Sequence, residues 1–109
     1  MKKLLMILAA AALMVSVAQA DIKKGQKAYL KTFKSAFGMN GTKFAADHSV
    51  HEWEELFADG AKGFIAEYSE RFPKAKAKLE NPRNAAKIQD IGDFAKEYGN
   101  DSGNVPSCG

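Results

Sequence analysis

Two histidines, His48 and His51, stand three residues apart in the stretch Asp47-His48-Ser49-Val50-His51-Glu52. Imidazole is the commonest protein ligand for haem iron and transition metals, so this pair is where a metal or a haem would be held. Zinc needs a third or fourth ligand, and Asp47, Glu52 or the single cysteine, Cys108, could supply one. The same residues also have a structural reading. His48 precedes a helix cap and packs onto Trp53, while His51 is an exposed first-turn residue near Glu55. Cys108 cannot close an internal disulfide, which leaves a free thiol or an intermolecular bridge. Motifs of common catalytic sites are missing: there is no G-x-S-x-G, no phosphate-binding glycine loop, and no histidine follows His51-Glu52 at the metalloprotease spacing. The expectation is a binding protein and not an enzyme.

Charge narrows the partners. The chain carries 16 basic and 13 acidic residues. Lys2 and Lys3, however, belong to a segment laid out as an export signal: a basic start, an apolar run over residues 4–17 broken only by Ser16, then Ala18-Gln19-Ala20 as a small-residue cleavage site. The apolar run is shorter than the 17–25 residues that hydrocarbon requires. Residues 1–20 are therefore expected to be cleaved, leaving no stable membrane anchor and a soluble periplasmic protein that begins at Asp21. What remains has a net charge of +1, which gives no basis for nucleic-acid binding. One basic cluster persists, Lys74, Lys76 and Lys78 followed by Arg83. It is either a solvated face or a docking patch for an acidic protein partner.

The elements that must position these side chains are helical. Tyr29, Phe33, Ala36 and Phe37 follow helical spacing, and the turn residues Gly38-Met39-Asn40-Gly41 end that helix. Ser49 and Glu52 form an S-x-x-E capping box that opens a second helix, with Val50, Trp53, Leu56 and Phe57 as its apolar stripe. Asp59-Gly60 breaks or bends it, and a third helix runs over residues 61–72 to Pro73. Asn81-Pro82 opens a last helix whose inward stripe is Ile88, Ile91, Phe94, Ala95 and Tyr98. Gly92 interrupts that stripe and marks a close helix crossing. The tail, residues 101–109, is rich in Gly, Ser and Asn and is expected to be flexible. With no disulfide available, seven Phe, three Tyr and Trp53 must supply the core. Phe33, Phe37, Phe44, Phe57, Phe64 and Phe72 line either a pocket for haem or another flat apolar ligand, or a packed interior.

The order helix, glycine turn, middle helices, long closing helix resembles the cytochrome c family. In that family a glycine and an aromatic of the first helix lead into C-x-x-C-H-G. Here the corresponding frame over residues 25–38 reads Phe33, Ala36, Phe37, Gly38. The run Ile88-Gln89-Asp90-Ile91-Gly92-Asp93-Phe94 is similar to the family's closing helix, and residues 41–53 resemble small exported bacterial proteins grouped with cytochromes c. The resemblance implies a single all-α domain over residues 21–100, about four helices, with the terminal helices crossing through Gly25 and Tyr29 against Phe94 and Tyr98. It also implies a relation to electron carriers and a periplasmic redox or other protein partner. The attachment chemistry is gone. Phe33 and Ala36 form no thioether, Phe37 ligates no iron, and no methionine follows Met39. Covalent haem is thus excluded, and what the resemblance leaves is non-covalent haem contact through His48 or His51, or a partner-binding role.

Overall fold

Tyr29, Phe33 and Phe37 recur every fourth residue, which places all three rings on one face of a helix. The computed structural model describes residues 22–107; the expected leader and Cys108 lie outside them. Within this span α1 covers residues 22–32, and after a single turn residue, Phe33, α2 (Lys34–Phe37) continues its path. The amides of Phe33 and Phe37 still donate to the carbonyls of Tyr29 and Phe33, at 2.9 and 2.8 Å, so the three rings keep their common face. Gly38 then adopts a left-handed conformation (φ 69°) and returns its amide to the Lys34 carbonyl, ending the helix where a residue without Cβ makes the turn cheapest.

Helix α3 (Gly41–Ala45) follows at once, beginning on the last residue of the expected turn and running through residues given no element, because the Asn40 side chain caps it by accepting from the Lys43 amide at 2.8 Å. Helix α4 spans Val50–Arg71. Its capping box forms as expected: Ser49 Oγ accepts from the Glu52 amide, and the Glu52 carboxylate accepts from the Ser49 amide. Its interior is broken. Ala58 is extended, and Asp59, Gly60 and Ala61 all have positive φ (52, 71 and 62°), so the expected break is a left-handed turn joining two helical segments.

A 3-10 turn at Pro73–Ala75, α5 (Lys76–Glu80) and a second 3-10 turn at Pro82–Asn84 lead to α6 (Ala85–Glu97). Asn81 caps as expected, but onto the 3-10 turn, through the Arg83 amide at 3.0 Å. The architecture is therefore all-helical, with six α-helices and no strand among the described residues.

Helices α1 and α6 cross at Gly25. A methyl group added there would meet the Asp90 carbonyl oxygen at 2.0 Å and Phe94 Cβ at 2.9 Å. Tyr29, one turn after Gly25, stacks on Phe44 of α3, with ring centroids 4.3 Å apart. Gly92 does not face another backbone; a β-carbon there would stand 2.7 Å from the Phe57 ring, so it seats a side chain from α4. Tyr29, Phe33, Phe44, Trp53, Phe64, Tyr68 and Phe94 are fully buried, with Leu79, Ile88 and Ile91 beside them. The described part of the tail returns to the main body at several points. Pro106 is buried, Gln26 donates to the Ser107 carbonyl at 2.9 Å, and Asp101 accepts from the Val50 amide at 2.8 Å.

Candidate functional site

Phe33, Ala36 and Phe37 occupy the positions that resemble a haem-attachment motif. Ala36 is half-buried, and Phe33 and Phe37 stack on each other at 5.3 Å inside the core. Phe37 also meets Phe72 at 4.8 Å, Tyr68 at 5.1 Å, Phe44 at 5.9 Å and Tyr29 at 6.0 Å. A flat ligand between two ring faces needs about 7 Å, twice an ordinary carbon contact. The rings around Phe37 are packed against one another instead. None of these three residues offers a donor atom to iron, so a haem lying beside them would draw no axial ligand from them.

The polar groups of the chain converge at a different place. Asp47 and His48 sit in the link between α3 and α4, while Glu67, Tyr68 and Arg71 lie on the second segment of α4. A straight helix would carry Glu67 about 28 Å from His48, at 1.5 Å per residue over 19 residues. The left-handed turn at Asp59, Gly60 and Ala61 folds the second segment back, and His48 Nε2 lies 2.6 Å from Glu67 Oε2. The His48 ring stands edge-on to Trp53 at 4.8 Å, and its backbone carbonyl accepts from the Asn100 amide at 3.0 Å. Trp53 in turn donates its indole N–H to the Ala45 carbonyl at 2.8 Å, tying the end of α3 to α4 beside the cluster.

Asp47 Oδ2 accepts from the Tyr68 hydroxyl and, at 2.5 Å, from an Arg71 guanidinium nitrogen. The same nitrogen reaches Glu67 Oε2 at 3.1 Å. Burial alone would raise the Asp47 pKa; the hydrogen bonds from Arg71 and Tyr68 and the Arg71 charge outweigh it and hold the carboxyl below its ordinary value. Tyr68 moves the opposite way, its pKa raised by burial and by its bond to the Asp47 carboxylate. Arg71 lies over the Tyr68 and Phe72 rings, 4.8 and 5.3 Å from their centroids. At the mouth of the cluster, His48, Glu52, Glu55, Leu56 and Glu67 line an open groove whose polar groups are three carboxylates and one imidazole.

The two histidines are not brought together as a ligand pair. His51 is 78% exposed and is directed at Glu55 (2.8 Å) and Glu54 (3.8 Å) on the outer face of α4. His48 keeps the packing onto Trp53 expected of it and adds carboxylate partners. Asp47, His48 and Glu67 each offer a ligand atom within 4.8 Å of one another. The charged partners of His48 among the described residues are the carboxylates of Glu52 and Glu67. The chain matches no family model, no curated protein and no solved structure. Of the clustered residues, His48 and Asp47 were legible in the sequence as candidate ligands; Glu67, Tyr68 and Arg71 were not. The signal for them was the Glu67/Arg71 spacing of four on a helix face, which is common on solvated helices and says nothing of partners 19 and 24 residues away.

Proposed function

We propose that this chain is an exported, haem-free domain on a cytochrome c-like scaffold, working by binding a periplasmic protein or small ligand and not by electron transfer. The observation that carries the reading is Gly25. It allows the first helix to approach the last to a distance that no β-carbon would permit, as the resemblance implied for the crossing of the terminal helices. The ring packing around Phe37 supports the haem-free part, since the volume beside the residues that replace the attachment motif is occupied by side chains. The absence of a sulfur ligand at Phe33 and Ala36, and of an imidazole at Phe37, supports it chemically.

The absorption spectrum of the protein purified from the periplasm of its own cells tests this reading. The expected result is a spectrum of tyrosine and tryptophan alone, with no Soret band, and haemin added to the protein gives no saturable Soret shift that depends on His48 or His51. A stoichiometric Soret band in the native protein overturns it.

A further inference from the structure

We infer that Asp47, His48 and Glu67 form a binding site for a divalent transition-metal ion such as Zn2+, with Arg71 as the internal cation that the metal displaces. The donor set is one imidazole and two carboxylates, the mixture of nitrogen and oxygen that suits Zn2+ and its first-row neighbours. Its ligand atoms lie within 4.8 Å of one another. Ligands at 2.0–2.2 Å from a tetrahedral metal stand about 3.4 Å apart, so the His48–Glu67 pair, now 2.6 Å apart, must open and the wider pairs, within 4.8 Å, must close.

The frame around the donors is held from outside. The Tyr68 hydroxyl donates to Asp47, the Trp53 ring stands edge-on to His48, and the His48 carbonyl is anchored by the Asn100 amide. Partners of this kind orient metal ligands and fix which lone pairs are free. The donors also come from two elements, the α3–α4 link and the folded-back half of α4, so a bound ion would clamp the left-handed turn closed.

Arg71 occupies the cation's place at present. One of its nitrogens bridges Asp47 Oδ2 at 2.5 Å and Glu67 Oε2 at 3.1 Å, which neutralises the two carboxylates that would otherwise repel. It is 39% exposed and already rests on the Tyr68 and Phe72 rings, so it can leave the carboxylates without losing its packing or its access to water. Metal binding is then an exchange of one cation for another, and wild-type affinity is set by the competition.

Zinc chloride titrated into the full-length protein by calorimetry tests the site, in a Cys108→Ser background so that the thiol contributes nothing. One zinc per chain is expected. Arg71→Gln removes the competitor and is expected to tighten binding about tenfold. His48→Ala is expected to weaken it by at least about tenfold, as is Glu67→Gln, which keeps the shape of the side chain and serves as the second variant should His48→Ala misfold. His51→Ala should leave affinity unchanged. Co2+ in place of zinc should show oxygen and nitrogen ligation and quench the single tryptophan, which stands beside His48. No stoichiometric zinc in either the Cys108→Ser protein or its Arg71→Gln derivative overturns the site, as does affinity lost with His51→Ala but kept with Glu67→Gln. Arg71→Gln with unchanged affinity overturns the displacement.

Discussion

Gly25 lies against the Asp90 carbonyl so closely that a β-carbon would stand 2.0 Å from that oxygen. The obstacle is backbone, which cannot rotate away as a side-chain tip can. Gly25→Ala must therefore separate α1 from α6 or distort one of them, and overpacking of this kind costs about 1–3 kcal/mol or more. Urea unfolding followed by circular dichroism is expected to show a lowered midpoint. A midpoint at or above wild type would mean that the helices do not cross here.

Gly60 and Gly92 are expected to fail for different reasons when replaced by alanine. Nothing lies within 4 Å of a Cβ on Gly60, but its φ is 71°, so Gly60→Ala costs about 1 kcal/mol through the backbone alone. Gly92 is helical, where alanine is normally better by about 1 kcal/mol, yet its Cβ would sit 2.7 Å from the Phe57 ring. Gly92→Ala is expected to destabilise, and Phe57→Leu in the same chain to recover part of the loss. Thermal melts of the two single variants and the double variant measure both effects.

The pH dependence has two edges. Asp47 has a folded pKa below its ordinary 3.8, so its contribution is fully present above about pH 4 and is lost as the pH falls through the folded value. Asp47→Asn should be less stable at neutral pH and show a flatter loss of stability in acid. Tyr29 and Tyr68 have folded pKa values above their ordinary 10.0, each raised first by burial and then by the Asp47 carboxylate. Their contribution is present below pH 10 and lost as the pH rises above it. Tyrosinate absorbance from these two rings should emerge together with unfolding, and Tyr68→Phe should weaken that coupling.

Trp53→Phe removes the donor that satisfies the buried Ala45 carbonyl. An unpaired buried acceptor costs about 1–3 kcal/mol, to which the lost ring volume adds. The variant is expected to be destabilised by at least that amount in urea, and to loosen the end of α3, seen as faster hydrogen exchange at the Ala46 and Asp47 amides, whose acceptors are Thr42 and Phe44. Unchanged exchange there would show that the indole bond does not hold the link that carries the cluster.

Much of the helical frame could be read along the chain. The Ser49/Glu52 box, the Gly38 stop, the Asp59-Gly60 break and the Asn81 cap each depend on residues within one turn of one another, and all four operate in the structure. Helix α3 was not foreseen: Asn40 and Gly41 read as the end of a turn, the residues after them show no apolar periodicity, and here the Asn40 side chain begins a helix. The aromatic stripe was read correctly as apolar, but the choice between a ligand pocket and a packed interior depended on distances between rings from four different helices.

The sequence by itself determined where the longer helices start, stop and bend, and which rings turn inward, because caps, positive-φ residues and helical periodicity are short-range properties of neighbouring residues. Only the tertiary structure decided which polar groups meet. Asp47 pairs with Arg71 across 24 positions and His48 with Glu67 across 19, and both pairings exist because three left-handed residues reverse the path of α4. The break itself was written in Asp59-Gly60, but its angle was not, and that angle sets where charges 20 residues apart come to rest.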